Sequence, residues 1–289
     1  MNGIIIVDKP QGRTSHDIVY AMRRLTGVKK VGHTGTLDPM ATGVLPVCIG
    51  GATKVADMLT LSDKTYRAEL ILGKTTDTQD AEGEVLTEHE VNCGEDEIRD
   101  AVMSFVGEIE QIPPMYSAIK KNGKKLYELA RQGIEVEREP RKVTIHSIDI
   151  IAVNGKSVTI DVSCSKGAYI RTLCADIGEK LSTGAYMNAL RRTRTGAFTI
   201  EESYTLEELT ALAENGELTK ALIPTDRMFE DLPAITLNEK QKKSVTNGVR
   251  MTYKGAEGQS YRIYDENGTF LCVSKIIDGR LTLEKSFWN

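Results

Sequence analysis

The chain has 289 residues, 40% of them hydrophobic and 27% charged, with a net charge of −4, a composition typical of a globular protein with room for one large domain or two. No apolar run approaches the roughly 20 residues that span a bilayer, and the opening MNGIIIVDKP lacks the order of a signal peptide, so a cytoplasmic protein beginning with a strand is expected. The five cysteines (Cys48, Cys93, Cys164, Cys174, Cys272) are scattered with no C-x-x-C pair and the four histidines show no ligand spacing, which argues against a disulfide framework and a metal site.

The first element is a short buried strand over GIIIVDK, ended by Pro10. A helix follows, started by Thr14 or Ser15, with Ile18, Val19, Met22 and Leu25 on one face. Residues 32–51 carry several glycines and two prolines, so loop is expected there, with an apolar strand over Val44–Ile49. Tyr66–Leu72 alternates like a strand with two unlike faces. Helical spacing through Ile98, Ala101, Val102 and Phe105 predicts a helix stopped by Gly107. Lys156–Cys164 alternates again, and Tyr169–Leu181 switches to helical spacing. Thr205 with Glu208 forms a capping box before a further helix.

Near Pro224 the texture changes to short strands, a basic helix over Asn238–Thr246 and a hairpin at Asp265-Glu266-Asn267-Gly268. Strands and helices mix without a regular βαβ alternation, so the expected class is α+β with a mixed, largely antiparallel sheet. The expected domains are 1–228 and a small β-rich unit over 229–289, which at roughly 60 residues is only marginally stable alone and should pack on the rest.

The net charge hides segregation. Between Thr75 and Glu110 acids dominate and Arg99 is the one base, whereas Lys9–Lys30, Lys120–Lys125 and Lys166–Arg194 hold clusters of bases. If these converge on one face they attract a polyanion whatever the total charge.

The segment Gly32-His33-Thr34-Gly35-Thr36-Leu37-Asp38-Pro39-Met40-Ala41-Thr42-Gly43 stands out. Its glycines permit close approach or positive φ, and Pro39 biases Asp38 towards an extended backbone. Two readings follow: Asp-Pro as a turn initiator, which residue chemistry alone favours, and Asp38 as a carboxylate presented from a rigid loop. Gly51-Ala52-Thr53-Lys54 has the wrong order for a phosphate-binding loop. A phosphoryl-accepting Asp38 would need further acids arranged for magnesium, and none stands out in the loop.

Gly35-Thr36-Leu37-Asp38-Pro39 followed by Ala41-Thr42-Gly43-Val44-Leu45-Pro46 resembles the signature of the TruB branch of pseudouridine synthases. Val7-Asp8-Lys9-Pro10, Lys64-Thr65-Tyr66, Pro113–Lys120, Ser165–Leu173 and Leu190-Arg191-Arg192-Thr193 are similar to further blocks of that family, in family order across residues 3 to 200. The resemblance implies an isomerase that converts uridine to pseudouridine without cofactor, and in the bacterial branch uridine-55 of the tRNA T-loop. It implies Asp38, Tyr66 and Arg171 as catalytic residues and Lys9, His33, Lys64 and Leu190 as substrate-binding ones. Lys9 would bond backbone near the active site or phosphate; Arg171 would hold Asp38 ionised and oriented. Lys120–Lys142 resembles a mobile thumb that closes on RNA, and residues 229–289 resemble, more loosely, an RNA-binding PUA domain. The implied partner is the tRNA T-arm, with no membrane, no obligatory protein partner, a monomeric state, and a second role in tRNA folding left open.

Overall fold

The computed structural model describes residues 1–121 and 123–288. Its larger sheet takes β1 (Gly3–Lys9), β2 (Val31–His33), β3 (Thr42–Ile49), β4 (Lys64–Leu72), β7 (Gly107–Gln111), β10 (Arg141–Asn154), β11 (Ser157–Cys164), β12 (Ala185–Thr195) and β13 (Phe198–Thr199). Two small ribbons stand apart, β5 (Lys74–Thr76) with β6 (Val85–Glu88), and β8 (Lys120–Lys121) with β9 (Lys124–Lys125). The second sheet, in the order β14 (Ala234–Leu237), β16 (Ser260–Asp265), β17 (Phe270–Ile277), β18 (Arg280–Ser286) and β15 (Met251–Thr252), lies in the C-terminal part. The α-helices are α1 (Ser15–Thr26), α2 (Ala56–Thr60), α3 (Glu95–Met103), α4 (Leu126–Ala130), α5 (Ile170–Lys180), α6 (Leu206–Glu214) and α7 (Glu239–Thr246).

The large sheet runs β1-β3-β12-β4-β11-β10-β7, with β2 on β3 and β13 on β12. All its pairs are antiparallel except β12 with β3, which meet in parallel at Arg191↔Thr42 and Arg192↔Gly43. The architecture is therefore the expected α+β class with a mixed, largely antiparallel sheet. The parallel pairing matters most, because it sets the loop before β3 beside the strand that carries Leu190 and Arg192.

Local sequence explains the elements around that point. Thr14 caps α1 in a box with Asp17, and Gly27 ends the helix in the left-handed region at φ +68°. The apolar stripe of α1 buries Ile18, Val19 and Met22 against β1 and β3. Helix α5 buries Leu173, Cys174 and Ile177 against β4 and β11, in the cluster that also holds Ile160 and Val162. The region 32–51 holds more strand than expected: β3 begins at Thr42 and β2 pairs with its far end, leaving 34–41 as the loop.

Helix α3 stops at Met103 rather than Phe105, and Gly107 opens β7 instead of merely ending a helix. Two long strands, β10 and β12, have no counterpart in the sequence pattern. Both carry register shifts, at Ile145/Ser147 and Ile150/Ala152 in one, and at Met187/Ala189 and Arg192/Arg194 in the other. Each bulge switches which residues face the core, so the two-residue period breaks.

In the C-terminal sheet, Asp265 accepts hydrogen bonds from Asn267 N–H and Thr269 N–H, and Gly268 takes φ +76°, which builds the hairpin turn. Phe270, Phe287 and Val273 pack with Phe229, Ile4 and Leu59, so this sheet buries apolar surface against the larger one. Among the described residues no helix is long and apolar enough to cross a membrane.

Candidate active site

The loop 34–41 is held from three sides. The Ser15 hydroxyl accepts from Leu37 N–H at 2.9 Å and donates to Leu37 C=O at 3.0 Å. From β1, the fully buried Lys9 ammonium donates to the carbonyls of Pro10 (2.9 Å), Pro39 (3.2 Å) and Ala41 (2.6 Å), matching its three donors. From β12, the buried Arg192 guanidinium donates to Val44 C=O at 2.7 Å and Gly35 C=O at 3.0 Å, tying the start of the loop to β3. Gly43 makes this approach possible: at φ +101°, a Cβ there would lie 2.2 Å from the Arg192 carbonyl oxygen.

Ala41 N–H bonds back to Asp38 C=O at 3.1 Å, so Asp38-Pro39-Met40-Ala41 is a turn with Pro39 at its second position. The two readings of Asp-Pro are thus compatible: the turn is what presents the carboxylate. Leu37 points into one core cluster and Met40 into another, which leaves Asp38 at the seam between them.

Arg171, on the first turn of α5, reaches this seam with a buried guanidinium. One terminal nitrogen donates to Asp38 Oδ2 at 2.5 Å and to Tyr116 C=O at 3.1 Å; the other donates to Asp80 Oδ2 at 3.2 Å. Asp80 is itself buried, and its other oxygen accepts from the Thr78 hydroxyl at 2.6 Å and Glu82 N–H at 3.1 Å. Burial pushes the Asp38 carboxyl above the ordinary carboxylate range; Arg171 and Lys9 oppose that push, and the Asp80 charge adds to it.

Tyr66 on β4 is the cross-strand partner of Arg192, and Leu190 on β12 faces Ala68. Both side chains are half-buried and pack against the two core clusters at once, so they line the seam that Asp38 occupies. Burial raises the Tyr66 hydroxyl's pKa, with the Arg192 charge opposing, which keeps the ring a neutral phenol at neutral pH.

His33 ends β2; burial lowers its pKa, assisted by Arg192, and its Nδ1 is buried without a partner among the described residues. Lys64, at the start of β4, donates to Thr60 C=O (2.7 Å) and Ser62 C=O (2.5 Å), and burial lowers it to about 8. Lys9 is likewise lowered to about 8 by burial. Both lysine ammonium groups donate to backbone carbonyl oxygens. Among the described residues no group of three or more His, Cys, Asp or Glu lies placed to hold a metal ion.

Three residues of the site lie outside the sequence-based set. Asp80 is hidden in the acidic stretch, where every neighbouring charge is also an acid. Arg192 is one of several bases in a row, and only its complete burial sets it apart. Gln111, buried at the end of β7, accepts from Tyr169 N–H and donates to Tyr169 C=O, two residues before Arg171; no sequence signal marks it.

Residues 23–170 match the family described as TruB family pseudouridylate synthase (N terminal domain), and residues 171–230 match the tRNA pseudouridylate synthase B C-terminal domain. The chain is 50% identical to the tRNA pseudouridine synthase B of Clostridium perfringens (strain 13 / Type A), over 99% of this chain and 98% of that one. It is 53% identical to the tRNA pseudouridine synthase B of Alkaliphilus oremlandii (strain OhILAs), over 87% and 83%. Among solved structures it is similar to a chain of a Cbf5-Nop10-Gar1 complex, with TM-score 0.74, 29% identity and coverage of 99% of this chain and 85% of that one. A chain of an H/ACA RNP bound to a substrate RNA containing 2'-deoxyuridine gives TM-score 0.73 and 26% identity over the same shares. The chain belongs to the TruB family of pseudouridine synthases and is an isomerase.

Proposed function

We propose that this enzyme isomerises uridine-55 in the T-loop of tRNA, with Asp38 as its catalytic carboxylate. The observation that carries the reading is the Asp38–Arg171 pair at the seam lined by Tyr66 and Leu190. The curated relatives bear the name tRNA pseudouridine synthase B, which supports tRNA as the substrate.

The target nucleotide must leave its stack, because carbon-5 and the glycosidic bond are both reached during the reaction. Asp38 then adds to the nucleotide or removes a proton from its sugar; both routes use the carboxylate oxygen that does not accept from Arg171. The N1–C1′ bond breaks, the base turns, and C5–C1′ forms as the bond to Asp38 breaks or, on the second route, as Asp38 returns the proton to the sugar; the C5 proton is lost as N1 gains one. Tyr66 stacks on the base and its hydroxyl assists proton transfer at carbon-5. Leu190 lines the base pocket, and His33 takes the space left by displaced T-loop bases.

Lys9 and Lys64 serve the substrate through the loop and strand start that their ammonium groups hold. The segment 120–142, with Lys120, Lys121, Lys124 and Lys125 on one ribbon, closes on the RNA backbone. Residues 1–228 form the catalytic domain and 229–289 a PUA-like RNA-binding one. The enzyme works in the cytoplasm as a monomer without cofactor or protein partner. Any contribution to tRNA folding that is independent of chemistry would give equal folding yields with wild type and Asp38→Asn.

The test is tritium release from tRNA labelled at uracil carbon-5. Asp38→Asn binds tRNA and releases none; tritium release by that variant would overturn the assignment.

A further inference from the structure

Gln111 occupies a junction that the reaction itself does not require. It is the last residue of β7 and is 2% exposed. Its side-chain oxygen accepts from Tyr169 N–H at 3.0 Å and its side-chain nitrogen donates to Tyr169 C=O at 3.2 Å. Tyr169 is the residue from which α5 starts, its carbonyl also accepting the helix's Leu173 N–H at 3.0 Å. A primary amide presents a donor and an acceptor side by side on separate atoms, so the start of α5 is pinned at two points. Arg171 lies two residues further on.

The same residue marks the base of the thumb segment. The backbone of Gln111 is the cross-strand partner of Arg141, where β10 brings the chain back. The segment that leaves Gln111 is held by two arginines before it reaches the ribbon: Pro113 C=O accepts from Arg138 at 3.4 Å, and Tyr116 C=O accepts from the same Arg171 nitrogen that holds Asp38. The thumb's entry, its return and the start of α5 therefore converge on one buried residue, the first two through its backbone and the third through its side-chain amide.

We propose that Gln111 is a positioning residue that ties the base of the thumb to the start of α5 and so sets the Arg171 guanidinium against Asp38. This rests on the reading of Asp38 as the catalytic carboxylate. It places the geometry of the charged pair under the control of the strand end from which the RNA-closing segment departs. Displacement of that strand end shifts Tyr169, and Arg171 with it.

The charged groups that face Asp38 are Arg171 from α5, Asp80 from the 77–84 loop and Lys9 from β1. Of these only Arg171 is held through Gln111. Loosening it weakens the stabilisation of the Asp38 carboxylate, and the acid limb of kcat/KM moves to higher pH. Gln111→Met keeps the volume and removes both hydrogen bonds; Gln111→Asn keeps a neutral amide too short to make both. Neither adds charge, so a shift of the limb reports geometry.

The experiment is a pH profile of tritium release from carbon-5-labelled tRNA for wild type, Gln111→Met, Gln111→Asn and Asp38→Asn. The expected result for Gln111→Met is a kcat about tenfold lower, KM within about twofold of wild type, and an acid limb raised by about half a pH unit or more; Gln111→Asn falls between. An acid limb at the wild-type position, with kcat lowered or not, overturns the proposal. If Gln111→Met does not fold, the limb of Gln111→Asn decides in the same way. Turnover by Asp38→Asn removes the reading of the site, and the Gln111 proposal with it; an inactive Asp38→Asn with unmoved Gln111 limbs removes the proposal alone.

Discussion

Arg171 is shared between two carboxylates: one terminal nitrogen stands 2.5 Å from Asp38 and the other 3.2 Å from Asp80. The three groups differ in access, since Arg171 and Asp80 are buried while 37% of the Asp38 side chain remains accessible. The buried pair acts as a fixed base on which the accessible carboxylate is mounted. Such an arrangement orients Asp38 and leaves its charge partly uncompensated.

Asp80→Asn removes a charge that raises the Asp38 pKa and leaves Arg171 to Asp38 alone. The acid limb of kcat/KM moves to lower pH, while kcat falls by about tenfold or more because one end of the guanidinium loses its carboxylate. The pH profile of tritium release measures both; an acid limb moved upward contradicts this electrostatic account.

Asp38→Asn changes stability in a pH-dependent way. The folded-state pKa of Asp38 is raised above its unfolded value, so the native state holds this proton more tightly than the unfolded chain. Wild type therefore loses stability as pH rises from the ordinary carboxylate value through the raised folded one, and the loss persists above it. The Tm advantage of Asp38→Asn should grow across that window and level off towards neutrality, with Arg171 still held by Asp80 and Tyr116 C=O. Calorimetric scans at a series of pH values read it, and a difference that shrinks with rising pH is the contrary result.

Lys9→Met leaves three carbonyls, those of Pro10, Pro39 and Ala41, without their buried donor. A loss of about 2–4 kcal/mol is expected on this basis, together with a lower kcat as the turn behind Asp38 loosens. Urea unfolding and turnover assays check the two effects; unchanged stability would show that the carbonyls find other partners.

The affinity for tRNA should fall steeply with salt despite the negative net charge. Replacing Lys120, Lys121, Lys124 and Lys125 by alanine should lower the salt slope by about one for each phosphate that is no longer neutralised. Filter binding across a salt series measures it. An unchanged slope would mean that the ribbon does not meet the RNA backbone.

Much of the fold is legible in the sequence, and the failures have physical causes. Strands β1, β4 and β11, helices α1 and α5, and the hairpin at Asp265–Gly268 follow from period, caps and turn residues. Strands β10 and β12 do not, because their bulges move successive residues from one face to the other. Tyr66, Arg171, Leu190 and the Asp38 loop come together from four separate segments, and only the ordered set of family blocks links them before the structure does. Asp80, Gln111 and Arg192 escape because their distinction is burial. An acid among acids, a lone glutamine at a strand end and a base among bases acquire their roles from what packs around them.

The most direct test is to incubate a tRNA transcript with purified protein and map pseudouridine at each position. Wild type is predicted to place it at position 55 of the T-loop, and Asp38→Asn to place none. Modification elsewhere with position 55 untouched, or modification of position 55 by Asp38→Asn, would contradict the account.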